Sequence, residues 1–327
     1  MQIAPLDPAD EHTLLALHEL ESASCPVDRP HVPPPTLAET TVEWTRAHPD
    51  SVLLSLLARV EGRLAGYAWL NLPVADNTAN AFVDIVTHPD LRRRGVGRAL
   101  TAATMQTLRA HGRTVAIGSV RSDGPGVPFA AALGAQEQAT RLRNILYLDT
   151  LDTGAVDGLL AEATTRAVGY ELVRITGPVP TGYLDAVAAM YEVMNDAPVE
   201  SAALQDEKWT PGRVAGLDGW LAARGDQVYT ILATCGEGGQ PAGMTRIAVR
   251  AAGDLAVQLD TAVATAHRGR RLGMLMKASM LRWLMAAQPQ VRRITTFNAA
   301  SNAHMIAVNE ALGFVPVERW TGVELAV

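Results

Sequence analysis

The stretch VDIVTHPDLRRRGVGRAL has a counterpart in QLDTAVATAHRGRRLGML, with Asp84 matching Asp260, Arg92 matching Arg268 and Gly97 matching Gly273, each pair 176 positions apart. A chain that repeats a strand, a basic glycine loop and a helix start in this way carries two copies of one unit. With 327 residues, each half is long enough to bury its own core.

The surroundings of the two copies agree. Upstream of each lies a pair of apolar runs joined by a glycine turn, VLLSLLARVEGRLAGYAWLNL and QVYTILATCGEGGQPAGMTRIAV, with Gly66 and Gly243 at nearly the same offset. Downstream come a helical run, a short strand (TVAIGSV; RRITTFN) and a second helix ending at Gly134 or Gly313, both placed as left-handed helix stops. Each half reads as a helical start, three antiparallel strands, helix, strand, helix, strand. This is an α+β fold with a mixed, mostly antiparallel sheet flanked by helices. The expected domains are 1–153 and 170–327, with a helical connector over 154–169 and the proline-dense CPVDRPHVPPPTL beside a cleft.

Composition excludes several partners. A net charge of −6 argues against a nucleic-acid backbone, so an arginine cluster on this chain suits a small anion. Cys25 and Cys235, one per half, imply neither disulfides nor a metal site. The N-terminus lacks the form of a signal peptide, and LGMLMKASMLRWLMAA is interrupted by Lys277 and Arg282, so a cytoplasmic protein without membrane contact is expected, as monomer or homodimer.

Both loops open a helix whose apolar residues keep a stride of four. A helix N-terminus offers unpaired N–H groups and partial positive charge, and glycines let phosphate approach the backbone. No Lys-Ser/Thr follows the glycines, so a triphosphate loop is a poor reading.

At these residues the chain resembles the GNAT superfamily of acyl-CoA-dependent N-acetyltransferases, whose loop reads Arg or Gln, two residues, Gly, one residue, Gly or Ala. RRRGVG fits fully, whereas RGRRLG holds Arg271 at the first glycine. An arginine there would fold over the pyrophosphate. The resemblance covers nearly the whole chain, as two tandem GNAT-like domains in an architecture similar to that of mycothiol synthase.

It implies an acetyl-CoA, or another acyl-CoA, held in the first half by Ile85, Val86, Thr87, Arg92, Arg93, Arg94, Gly95, Val96, Gly97 and Arg98. In the second half the matching set is Thr261, Ala262, Val263, Arg268, Gly269, Arg270, Arg271, Leu272, Gly273 and Met274, with Asn302 at the following helix. A backbone N–H of the strand would face the thioester oxygen.

Asp84 and Asp260 are carboxylates inside otherwise apolar strands, a placement that asks for a partner or a cleft. Each is a candidate to hold the amine and pass its proton on. The tyrosine that the family uses to protonate the thiolate is replaced by Asn309 in one half and Ala130 in the other. Asn309 is a candidate donor to the sulfur. In the polar segment that follows the helix lining the acceptor cleft in this family, Tyr191, Asn195, Asp196 and Glu207 are candidate contacts to a cationic acceptor.

The expected function is acetyl transfer to a primary amine of a small molecule, such as an antibiotic or amino sugar. The second half is the expected catalytic one and the first a CoA-binding or structural partner. The alternatives are a non-catalytic acyl-CoA-binding module and a protein or peptide N-acetyltransferase.

Overall fold

The computed structural model of the protein describes residues 1–198, 201, 203–251 and 253–327. Two compact units emerge, and they are described separately.

The N-terminal unit begins with β1 (Gln2–Pro5), α1 (Glu11–Asp28) and α2 (Leu37–Thr45). Asp10 caps α1 by accepting from Thr13, and a reciprocal Thr36–Glu39 box caps α2. Next come β2 (Ser51–Val60), β3 (Arg63–Pro73) and β4 (Asn80–Thr87), an antiparallel meander whose register sets Trp69 opposite Asp84 and Gly66 opposite Thr87. Then follow α3 (Val96–Ala110), β5 (Val115–Arg121) and α4 (Gly126–Ala132). Partners across a strand pair share a face, so Tyr67, Trp69, Asp84 and Val86 lie together on one side of the sheet. That side packs on Leu14, Leu17 and Leu20 of α1 and Trp44 of α2. The other side packs on Val96, Leu100 and Leu108 of α3.

The C-terminal unit takes β6 (Gln136–Tyr147) from Arg141 onward, then α5 (Thr153–Arg166), β7 (Tyr170–Thr176), α6 (Leu184–Glu192) and α7 (Pro211–Ala223). A second meander follows, β8 (Gln227–Cys235), β9 (Gln240–Val249) and β10 (Leu255–Val263), and then α8 (Leu272–Ala287), β11 (Arg293–Ala299) and α9 (Ala303–Ala311). The expected connector is helical as α5, and its Val156 and Ala163 are buried in this unit's core.

The compact units differ from the sequence halves by an exchange of strands. The last strand, β12 (Val315–Ala326), pairs antiparallel with β5 from Trp320↔Arg121 to Ala326↔Val115, while β6 pairs with β11 from Arg293↔Tyr147 to Ala299↔Arg141. Each half thus lends its final strand to the sheet of the other. A piece of the second half also belongs to the N-terminal unit: Asn80 donates to Ala203 O (2.9 Å), and Asn77 donates to Gln205 O (3.2 Å) and accepts from Gln205 N (2.7 Å).

One feature of both sheets positions the site. The parallel pair β4–β5 holds register only from Asn80↔Val115 to Phe82↔Ile117, and β10–β11 only from Leu255↔Arg293 to Val257↔Thr295. Beyond these points the strands part, leaving the ends of β4 and β10 with one open edge. Gly66 and Gly243 back those ends: a Cβ at Gly66 would lie 2.6 Å from Val86 O, and at Gly243 3.0 Å from Ala262 O and 2.7 Å from Met276.

Candidate active site

The two basic loops share a backbone. Arg93 and Gly95 have φ of 64° and 82°, and their counterparts Gly269 and Arg271 have 78° and 60°. Arg271 therefore keeps the left-handed turn that glycine would favour. The first helical bonds run from Ala99 N to Gly95 O and from Leu275 N to Arg271 O, so the N–H groups of Val96, Gly97 and Arg98, and of Leu272, Gly273 and Met274, lack intrahelical acceptors. No side chain caps α3 or α8, whereas α1, α2, α5, α7 and α9 are each capped by one. Gly97 is packed against the Phe129 ring of α4, 3.2 Å from where a Cβ would stand.

The arginines divide the loops. Arg92 donates to Thr87 O (3.2 Å) and to Asp28 (2.6 Å), and Arg268 repeats this with Val263 O (3.1 Å) and Asp196 (2.8 Å). Both side chains tie a strand end to its surroundings. Arg271 turns to Glu162 of α5 (2.8 Å). Arg270 leans toward the Tyr170 ring at 6.0 Å. In the N-terminal unit, by contrast, Arg93, Arg94 and Arg98 are exposed and pair with no carboxylate among the described residues. An uncapped helix start, an open space at Gly95 and three unpaired guanidinium groups fit a diphosphate with a third phosphate nearby.

The bond from His88 N to Ala65 O places alternate residues of β4 in bonded pairs with β3. The main-chain groups of Ile85 and Thr87 therefore point to the open edge, and Val86 does not. In β10 the bond from Ala264 N to Ala242 O makes the same choice for Val263 over Ala262. Thr261 bonds Thr245 through its hydroxyl (2.8 Å), just beyond a bulge in which Leu259 and Asp260 oppose Arg246.

Asp84 lies open to solvent yet surrounded by protein, on the floor of a cleft between α1, β3 and β4. Burial raises its pKa, the Arg29 guanidinium opposes this, and Asp28 adds to it. Beside it, Glu21 accepts from Thr40 (2.6 Å) and Trp44 (3.2 Å), and burial raises its pKa as well. Tyr67 meets Trp44 edge to face at 4.7 Å between ring centres. Sequence reasoning missed Glu21, Arg29 and Tyr67, because α1 with its C-terminal end and β3 meet only on folding; a local sign was that Arg29 sits in the proline-dense insertion.

Asp260 is half-buried, its pKa raised by burial and by Glu207 and lowered by Arg246. Arg246 is wholly buried, paired with Asp218 and donating to Tyr191 (2.7 Å) and Thr230 (3.0 Å). Tyr191 stacks on Trp209 at 4.0 Å, and Glu207 accepts from Trp209 (3.2 Å) and Arg213 (3.1 Å). Tyr191, Glu207 and Asp260 are thus brought together. Asn195 instead binds the Glu207 backbone both ways, and Asp196 holds Arg268 and Thr265, so both serve the loops. Asn302 caps α9 through Met305 N. Asn309 is buried and donates to Asn298 (2.7 Å), which fixes α9 on β11.

At the point where β10 leaves β11, the buried Lys277 of α8 donates to Gln258 (3.0 Å) and lies 5.3 Å from the Phe314 ring. Burial pulls its pKa from 10.5 down to about 7. The unfolded chain therefore binds the proton more tightly, and this group's cost to the fold is full below pH 7 and fades toward pH 10. Lys277→Met is expected to stabilise the protein more at pH 6 than at pH 9, by about 2–3 kcal/mol. Urea titrations at the two pH values check this; an equal gain at both contradicts it.

Residues 14–135 match the Acetyltransferase (GNAT) family. Over 123 residues, 37% of the chain, there is 37% identity with a mycothiol acetyltransferase of Kineococcus radiotolerans, and the match spans 38% of that protein. Over 94 residues there is 40% identity with another of Thermomonospora curvata, spanning 29% of it. The matched stretches are thus well under half the length of these relatives. Among solved structures, a tandem GNAT protein from the clavulanic acid biosynthesis pathway superposes with a TM-score of 0.83 and 29% identity, covering 99% of this chain and 98% of that one. A GCN5-related N-acetyltransferase from Sphaerobacter thermophilus shares the fold, at 0.67 and 15% identity over 99% of this chain and 95% of its own. No helix among the described residues is long and apolar enough to cross a membrane. With two basic loops on parted strands, residues 14–135 resemble the GNAT family in sequence, and the chain is similar in fold from end to end to a tandem GNAT protein.

Proposed function

We propose that the protein is an acetyl-CoA-dependent N-acetyltransferase for a primary amine of a small molecule, and that transfer takes place in the N-terminal unit. This reverses the assignment expected from the sequence. The observation that carries it is the meeting, on one open strand edge, of an uncapped loop with three unpaired arginines and of Asp84, a cleft carboxylate with no hydrogen-bond partner among the described residues. The relatives named mycothiol acetyltransferase support an acetyl donor and a small acceptor.

Acyl-CoA supplies a thioester, an acyl group already activated toward an amine. The α3 N–H groups with Arg93, Arg94 and Arg98 bind its phosphates, and the N–H groups of Ile85 and Thr87 face the edge where the thioester oxygen gains charge. Asp84 holds the acceptor ammonium and passes its proton to water, which frees the lone pair. The new bond is nitrogen to acyl carbon, the bond lost is carbon to sulfur, the nitrogen gives its second proton to solvent, and CoA leaves as a thiolate that takes up a proton from solvent. A leaving thiol of pKa ~8.5 tolerates the missing tyrosine.

In the C-terminal unit the loop arginines Arg268 and Arg271 are paired with Asp196 and Glu162, and Asn309 is engaged with Asn298. These engagements favour an acyl-CoA-binding or supporting role there. Thiol release from acetyl-CoA across a panel of primary amines tests the activity: at least one amine is expected to give turnover. Binding of acetyl-CoA with no turnover on any amine would sink the enzymatic reading.

A further inference from the structure

The N-terminal cleft contains a cation that the proposed transfer does not use. Arg29 follows α1, with its main-chain N–H on Cys25 O (2.7 Å). The end of α1 is pinned from two sides. Arg92 holds Asp28 at 2.6 Å, and Arg121, at the end of β5, donates to Val27 O (3.1 Å) and Asp28 O (3.3 Å). The basic loop after β4 and the end of β5 thus both anchor the turn that carries Arg29, whose side chain is half-buried.

A guanidinium has five donors, and burial without acceptors is costly. Arg29 nonetheless makes no side-chain hydrogen bond or ion pair among the described residues, and neither does Asp84 or the Tyr67 hydroxyl. The groups near enough to feel Arg29 are Tyr67, Asp84, Cys25 and Glu21. Glu21 is already engaged with Thr40 and Trp44, and the nearby Asp28 with Arg92. What remains is a cation, an anion and a phenol hydroxyl that feel one another's charge but make no hydrogen bond among the described residues, beside the apolar side chains of Trp69 and Val86.

Resting on the proposed transfer reaction in this unit, we propose that the acceptor is a zwitterion of the amino acid type, whose ammonium meets Asp84 while its carboxylate meets Arg29. Arg29 then selects among amines. A planar guanidinium recognises a carboxylate through two parallel bonds, so an amine lacking the carboxylate leaves Arg29 unsatisfied and is discriminated against. The acetylated product keeps the carboxylate and loses the positive charge, so it no longer pairs with Asp84. That difference favours release.

The test uses the full chain with acetyl-CoA and glycine, β-alanine, 4-aminobutyrate and 6-aminohexanoate, each beside its methyl ester. Thiol release and calorimetric binding are measured for the unaltered protein and for Arg29→Gln and Arg29→Lys. For the best-fitting chain length, the acid is expected to be preferred over its ester by at least tenfold in kcat/KM, carried mainly by KM. That preference should collapse toward one in Arg29→Gln and partly return in Arg29→Lys. Thermal melting of each variant separates loss of recognition from loss of fold. Equal use of acids and esters, or a preference that survives Arg29→Gln, overturns the inference and leaves the transferase reading standing. Arg29-dependent binding of the acids without turnover leaves the inference standing and removes the transferase reading. Absence of both binding and turnover overturns both.

Discussion

Asp84→Ala is expected to lower kcat/KM for amine acceptors by about 10²-fold or more, the usual scale for a group that moves a proton at the reacting atom. The effect follows from placement. Asp84 is directly opposite Trp69 in the β3–β4 register, on the cleft side of a strand whose next residue, Ile85, turns its main chain to the open edge. The carboxylate and the N–H at the open edge therefore come from adjacent residues, and one strand sets both. Because burial raises the Asp84 pKa, the folded protein binds this proton more tightly than the unfolded chain, so the ionised carboxylate costs stability at neutral pH. Asp84→Ala should therefore lose activity while its melting temperature holds or rises at pH 7 relative to pH 4. Full activity in Asp84→Ala would remove this residue from the mechanism; parallel loss of activity and melting temperature would mean its role is structural.

Arg246→Met is expected to destabilise the C-terminal unit by about 3–5 kcal/mol, the cost of leaving one member of a buried ion pair behind. The partner Asp218 is 2% exposed and would retain the Val179 N–H at 2.8 Å, while Tyr191 and Thr230 would lose the donor they share. Arg246 also stands across the β10 bulge and lowers the pKa of Asp260. The same substitution should thus move the Asp260 titration further upward. Denaturant unfolding checks the first effect and carboxyl NMR titration the second. A loss under 1 kcal/mol would mean that the network repacks.

The fold was largely legible because its signals are local and occur twice. The antiparallel runs, the glycines at Gly66 and Gly243 that let strands approach, and the positive φ of Gly134 and Gly313 all follow from short-range patterning. The strand exchange was not legible: β6 and β12 have the length and pattern of strands wherever they pair, and no nearby residue states which sheet accepts them. The site divides the same way. The basic loops and the two aspartates stand out as charge in apolar surroundings, whereas the commitment of Arg271 to Glu162, of Asp196 to Arg268 and of Asn309 to Asn298 is a matter of which side chains meet after folding. Arg246 and Lys277, charged residues in apolar runs, gave a signal equal to that of Asp84; only tertiary packing shows that they are enclosed in the core rather than open to a cleft.

Calorimetric titration of the full chain with acetyl-CoA tests most directly whether the N-terminal unit holds the acyl donor. Arg93→Gln, Arg94→Gln and Arg98→Gln together are expected to weaken the tightest acetyl-CoA site at least tenfold, through loss of charge-assisted phosphate contacts. The corresponding change in the C-terminal loop, Arg270→Gln with Arg271→Gln, should leave that site's affinity within about twofold, because the proposed site is built from the N-terminal loop. Retained affinity in the first variant together with its loss in the second would place the donor in the other unit and contradict the account.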